Sequence, residues 1–123
     1  MVVNDLRSAL EVLKQMDGQL VETDIEVDPE AELAGVYRHV GAGGTVMRPT
    51  KIDGPAMIFN NIKNHKDARV VIGLLASRER VARLMGCEKE ELGKLLCRAA
   101  LNPIEPVVSE EKAPCQEVIH KVT

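Results

Sequence analysis

AMIFNNI (Ala56–Ile62) is followed by KNHKDA (63–68) and then by RVVIGLL (Arg69–Leu75). Two short, strongly apolar runs flank a polar connection, and this pairing decides the fold class. Each run has the length of a strand and is too short for a helix. The second is apolar at successive positions, which suits a strand covered on both faces and sets it in the sheet interior.

Outward from this pair the chain alternates. Upstream, VETDIEV places Val21, Thr23, Ile25 and Val27 on one side and Glu22, Asp24 and Glu26 on the other, the pattern of a strand with one wet face. Between it and AMIFNNI lies DPEAELAGVYRHVGAGG. Asp28 suits an N-cap, Pro29 the first helical position, and Glu30 and Glu32 the positive end of the helix dipole. Leu33, Val36, Tyr37 and Val40 recur as one apolar stripe, and Gly41 or Gly43 supplies the stop. At the N-terminus, Leu6, Ala9, Leu10, Leu13 and Met16 mark an amphipathic helix, capped by Asp5 and stopped before Gly18.

Downstream, Ser77 caps a helix RERVARLMG broken at Gly86. A second helix, EKEELGKLLCRAAL, carries Glu88, Glu90 and Glu91 in its first turn and ends at Asn102-Pro103. The tail contains three prolines and closes on CQEVIHKV, which reads as one more strand. The sum is an α/β (α+β) domain with a small mixed sheet of about three to four strands packed with helices.

Composition narrows the function. The 123 residues suit one domain and one core, with 45% hydrophobic residues but only 2% aromatics, Tyr37 and Phe59. Base stacking therefore lacks platforms, and a net charge of −3 attracts no phosphate backbone, so nucleic acid is not an expected partner. The N-terminus reaches Asp5 and Arg7 before any apolar run, unlike a signal peptide. No apolar stretch approaches the ~20 residues of a membrane span. Cys87, Cys97 and Cys115 are an odd, widely spaced set that fits a reducing compartment, so a cytoplasmic location is expected.

HVGAGGTVMRPT (His39–Thr50) invites a phosphate-loop reading. A Walker-type loop follows a strand and opens a helix; here the order is reversed, and Gly41, Gly43 and Gly44 miss the dinucleotide spacing. A helix exit leading to Arg48, Pro49 and Thr50 explains it better. His39, His65 and His120 are too dispersed for a metal site, and the one nearby pair, Cys115 and His120, is too few donors. Ser77 is fully explained as a cap. Glu22, Asp24 and Glu26 suit a solvated strand face, with cation binding as the lesser reading. Asn60-Asn61 most simply satisfies backbone groups. No catalytic, cofactor-binding or metal-binding residue is assigned.

The ordered string ETDIEVDPEAELAGVYRHVGAGGTVMRPTKIDGPAMIFNNIKNHKDARVVIGLLASRERVARLMG (22–86), with NPIEPVVSEEKAPCQEVI (102–119), resembles the N-terminal region of UbiD-type decarboxylases, in particular the branch acting on hydroxylated benzoic acids. VDPEAELAGVYRH, GPAMIFNNIK, ASRERVARLMG and PVV…APCQEV agree in order, and the likeness runs from about Asp5 to Glu117.

The resemblance implies reversible, non-oxidative decarboxylation of an aromatic acid such as 4-hydroxybenzoate. It also implies prenylated FMN, made by a separate flavin prenyltransferase and held with manganese and potassium, in a larger homo-oligomeric enzyme. The family's phosphate and metal ligands and its glutamate–arginine–glutamate trio lie in a central domain beyond the APCQEV match, so none maps onto a residue here. Residues 1–113 are expected to form the N-terminal α/β domain and 114–123 the first strand of a flavin domain; alone, the chain is expected to bind no cofactor and to be inactive. A rival reading is a stand-alone interaction or oligomerisation module, or small subunit, derived from such an enzyme.

Overall fold

The computed structural model describes residues 2–43, 54–111, 113–118 and 120–121. Helix α1 (Leu6–Lys14) opens with a full capping box: Asp5 accepts from the Ser8 amide at 2.7 Å, and Ser8 Oγ accepts from the Asp5 amide at 3.1 Å. Its apolar positions Ala9, Val12 and Leu13 are buried. Strand β1 (Leu20–Thr23) follows, then helix α2 (Glu32–Gly41), strand β2 (Ala56–Phe59) and strand β3 (Val70–Ile72). Helices α3 (Arg78–Leu84) and α4 (Leu92–Leu101) complete the regular elements among the described residues, with a short 3-10 turn at Pro114–Gln116.

The sheet is mixed and three-stranded in the order β1-β2-β3. Leu20 to Thr23 run parallel to Ala56 to Phe59, joined by the α2 crossover that a parallel pair requires. Met57, Ile58 and Phe59 lie opposite Ile72, Val71 and Val70 in antiparallel register. One face carries the core of Val27, Leu33, Met57, Phe59 and Ile62, onto which Val36, Tyr37 and Val40 of α2 pack. On the other, Ile58 and Val71 face Leu6 and Leu10 of α1 across a groove of about 440 Å³. The expected small α/β sheet, with helices packed on it, is what forms.

Several local expectations are corrected. The interior strand is β2, not β3: β2 has a neighbour on each side and all four residues are buried, whereas β3 has one neighbour and is half-buried. Strand β1 stops at Thr23, where Thr23 Oγ1 takes the Ile25 amide at 3.3 Å and bends the chain. Ile25 is consequently 75% exposed, while Val27 rejoins the ladder through a bridge to Ile62.

Helix α2 starts one turn later than the Asp28-Pro29 signal predicts. The Asp28 carboxylate takes the Glu30 amide at 2.9 Å, forming a turn around Pro29, and the Glu32 carboxylate accepts from the Asp28 amide at 2.6 Å. Ala31 then enters the helix at φ 69, an unusual conformation for a residue with a Cβ. Similarly, the Glu88–Glu91 stretch forms turns, and α4 begins only at Leu92. At the tail, Pro114–Gln116 is a 3-10 turn, and none of the described residues from 115 onward is a strand; a strand needs a ladder to join.

Candidate functional site

The most strongly anchored polar group is Arg80, from the first turn of α3, which is fully buried. Its guanidinium donates to the carbonyls of Gly73 (3.0 Å) and Leu74 (3.4 Å) and to Gln19 Oε1 (2.8 Å). It thereby ties the turn after β3 to the turn before β1. Ser77, also buried, caps the same helix by accepting from the Arg80 amide, as its position in the sequence predicts. Sequence reasoning passed over Arg80, although Ser77, Arg80, Val81 and Leu84 follow the i, i+3, i+4, i+7 spacing of a buried stripe. An arginine inside such a stripe is the missed signal.

Beside Gln19 a cleft of about 460 Å³ opens between the α1–β1 turn and α3. Asp17, Glu79 and Glu88 line it together with Arg83, Lys89 and the half-buried Cys87. Mixed charges without an imidazole give it neither a paired nucleophile and base nor a uniform field for a charged substrate.

Two of the acidic residues of the VETDIEV run do come together. Asn60 Nδ2 donates to Glu22 Oε1 and to Asp24 Oδ1, each at 2.9 Å, and its Oδ1 is buried without a protein partner. Asn61 Nδ2 donates to the Asp24 carbonyl at 3.2 Å, so it serves backbone as expected, while Asn60 serves carboxylates instead. A second polar contact pins the entry of α2: Lys63 Nζ lies 2.8 Å from Asp28 Oδ2. The Lys63 ammonium, and secondarily the Glu30 amide, hold the Asp28 carboxyl below its usual range; Asp28 in turn raises Lys63.

Arg48, Pro49 and Thr50 lie outside the described residues. On either side of that segment, Gly41 and Gly54 approach so closely that a Cβ on Gly54 would sit 2.9 Å from the Gly41 Cα. Gly43 takes φ 70 as the chain leaves α2. Helix exit, the reading preferred on element order, describes these residues. Among the described residues no group of three or more His, Cys, Asp or Glu is placed to hold a metal ion. No helix among them is long and apolar enough to cross a membrane.

Among the described residues this arrangement supplies a braced scaffold, and comparison with known proteins gives its family. Residues 11–100 match the model of the 3-octaprenyl-4-hydroxybenzoate carboxy-lyase N-terminal domain. The chain belongs to the UbiD family. Over 97% of its length it is 50% identical to the gallate decarboxylase of Lactiplantibacillus plantarum, and over 94% it is 34% identical to a phenolic acid decarboxylase of Sedimentibacter hydroxybenzoicus. The apo 3,4-dihydroxybenzoic acid decarboxylase of Klebsiella pneumoniae superposes on 85% of this UbiD chain with TM-score 0.74 and 55% identity. Its Enterobacter cloacae counterpart superposes on 89% with TM-score 0.76 and 52% identity. This chain spans about a quarter of those relatives: 24% of each curated protein, and 21% and 22% of the two solved chains.

Proposed function

We propose that this chain serves as the N-terminal domain of a non-oxidative, reversible decarboxylase of hydroxylated benzoic acids that works with prenylated FMN. The observation that carries the proposal is 50% identity to a gallate decarboxylase over 97% of the chain, of which the chain matches only 24%. Its role is architectural. Two half-buried strands and one fully buried strand, braced by Arg80, give a rigid unit, and the reacting groups belong to the other three quarters of the enzyme.

The described residues do not fit the cofactor. They provide no converging donor set for manganese, and their one deeply buried cation, Arg80, is directed at carbonyls and a carboxamide rather than an open phosphate site. On the family likeness we assign flavin, manganese and potassium to the downstream part, in a cytoplasmic homo-oligomer supplied by a flavin prenyltransferase.

The test is direct. Purified chain is incubated with prenylated FMN, Mn²⁺, K⁺ and gallate or 3,4-dihydroxybenzoate, then gel-filtered while carbon dioxide is measured. Flavin absorbance should elute free of protein, with no carbon dioxide above the blank. Co-eluting flavin or turnover would overturn the assignment of chemistry elsewhere.

A further inference from the structure

The groove between α1 and the sheet, on the face opposite the α2 core, joins an apolar interior to a cationic border. Its floor is Ile58, only 3% exposed, and its register partner Val71, one strand spacing of about 4.8 Å away. Its wall is Leu6, which is 51% exposed, and half-buried Leu10. Arg7 borders it from the first turn of α1, and Arg69 borders it from just before β3, two residues from Val71 and so on the same face. Neither guanidinium is in a salt bridge among the described residues. The carboxylate of the lining, Asp5, is spent on capping α1: it accepts from the Ser8 amide at 2.7 Å and from the Ser8 hydroxyl at 2.8 Å. At about 440 Å³ the groove has the size and character of a small-molecule pocket, apolar with a few placed polar groups. The cleft beside Gln19 has a similar volume but mixes acids with bases.

We propose that this groove binds a small aryl carboxylate, with the ring laid on Ile58 and Val71 and the carboxylate held by Arg7 and Arg69. The inference deepens the functional reading above and rests on it, because hydroxylated benzoic acids are the compounds such an enzyme meets. Charge complementarity selects this occupant. Guanidinium groups hold carboxylates through charge-assisted, often bidentate hydrogen bonds. Inorganic phosphate would leave the apolar floor uncovered, and a neutral phenol would leave both guanidinium groups without an anion. Decarboxylation removes the very group the arginines recognise. The groove is therefore an accessory site that registers the acid and not its phenol product, apart from the reacting groups.

The ¹⁵N-labelled chain is titrated with 4-hydroxybenzoate and, separately, with phenol, while amide shifts are followed by NMR. With the acid, shifts should centre on Leu10, Ile58 and Val71 and saturate with a Kd of about 1 mM or tighter, as befits so small a ligand. Phenol should bind at least about tenfold more weakly. So should the acid on Arg7→Gln with Arg69→Gln, which removes the charge-assisted bonds. Both arginines are exposed, so the double substitution should move the melting temperature by no more than about 4 °C. If that variant fails to fold, the contrast between acid and phenol on the parent chain still decides.

No saturation by about 10 mM acid, shifts centred elsewhere, or equal binding of phenol or by the double variant each overturns the site. A chimera carrying this chain in place of the matching segment of the L. plantarum gallate decarboxylase extends the test. Photolabelling with 4-azidobenzoate, read by peptide mass spectrometry, should mark the Leu6–Leu10 or Arg69–Val71 peptide, and 4-hydroxybenzoate should protect it. A groove that goes unlabelled there is filled by the enzyme's own chain, which overturns the site. Carbon dioxide release from the same chimera reports the functional reading separately. Turnover without groove binding refutes the groove alone, and groove binding without turnover refutes the functional reading alone.

Discussion

Gly73→Ala is a sharp test of how the two layers are held together. Gly73 ends β3 at φ 76, and Tyr37 of α2 lies directly over it: a Cβ built there would fall 2.6 Å from the Tyr37 Cζ. Two costs add. An L-residue in the left-handed region loses roughly 1–2 kcal/mol, and forcing a methyl into a packed contact costs roughly 1–3 kcal/mol. Alanine recovers roughly 0.4–1 kcal/mol by restricting the unfolded chain. The net is about 1–4.5 kcal/mol, which for a domain of this size lowers the melting temperature by about 4–20 °C. Far-UV circular dichroism during thermal and urea denaturation measures it. A double-mutant cycle separates the two costs: with Tyr37→Ala in place, Gly73→Ala should cost only the backbone portion less the unfolded-state recovery, about 0–1.5 kcal/mol. A Gly73→Ala protein as stable as the parent would show that Tyr37 does not pack on this turn.

Other perturbations follow from the same geometry. Arg80→Met keeps the bulk but leaves two carbonyls and Gln19 without their donor; a loss of about 2–4 kcal/mol in urea denaturation is expected, and a neutral result would remove its bracing role. Phe59→Ala, at the fully buried end of β2, should cost about 3–5 kcal/mol by the same assay. Asp5 and Asp28 have carboxyls held below their ordinary value of 3.8, by the Ser8 amide and by Lys63 respectively. Their contribution is therefore present above about pH 4 and lost as pH falls through the depressed values. Asp5→Ala and Asp28→Ala should flatten the acid limb of a urea-midpoint-against-pH curve between pH 5 and pH 2, and unchanged limbs would contradict this. Lys63, whose value is raised by the same pair, should lose its contribution on the alkaline side as pH rises past its ordinary 10.5, and in acid together with Asp28.

The elements written in local code were legible from the sequence. Asp5 and Ser77 mark helix caps, and Leu33, Val36, Tyr37 and Val40 an apolar stripe, and each performs that role. Misreadings arose where two local signals competed or where tertiary pairing decided. Asp28 can cap a helix or close a turn around Pro29, and Glu32, reaching back to its amide, selects the turn. Alternation in VETDIEV continues through Val27, but Thr23 bends the chain and puts Ile25 in water.

Which apolar run lies inside the sheet depended on strand order, to which AMIF and VVI are equally compatible. Arg80 was invisible as an anchor because nothing in RERVARLMG distinguishes it from its surface neighbours except helical phase. Of the candidate site, the sequence yielded mainly the family likeness.

Turnover by a chimera tests the proposed role most directly. With this chain in place of the matching segment of the L. plantarum gallate decarboxylase, carbon dioxide release from gallate should persist within about tenfold of the parent enzyme, a change of about 1.4 kcal/mol in the barrier. The isolated chain, given the same substrate and prenylated FMN, should release none. A soluble, flavin-loaded chimera that is inert, or an isolated chain that turns over, would contradict the assignment of this domain as the scaffold rather than the catalyst.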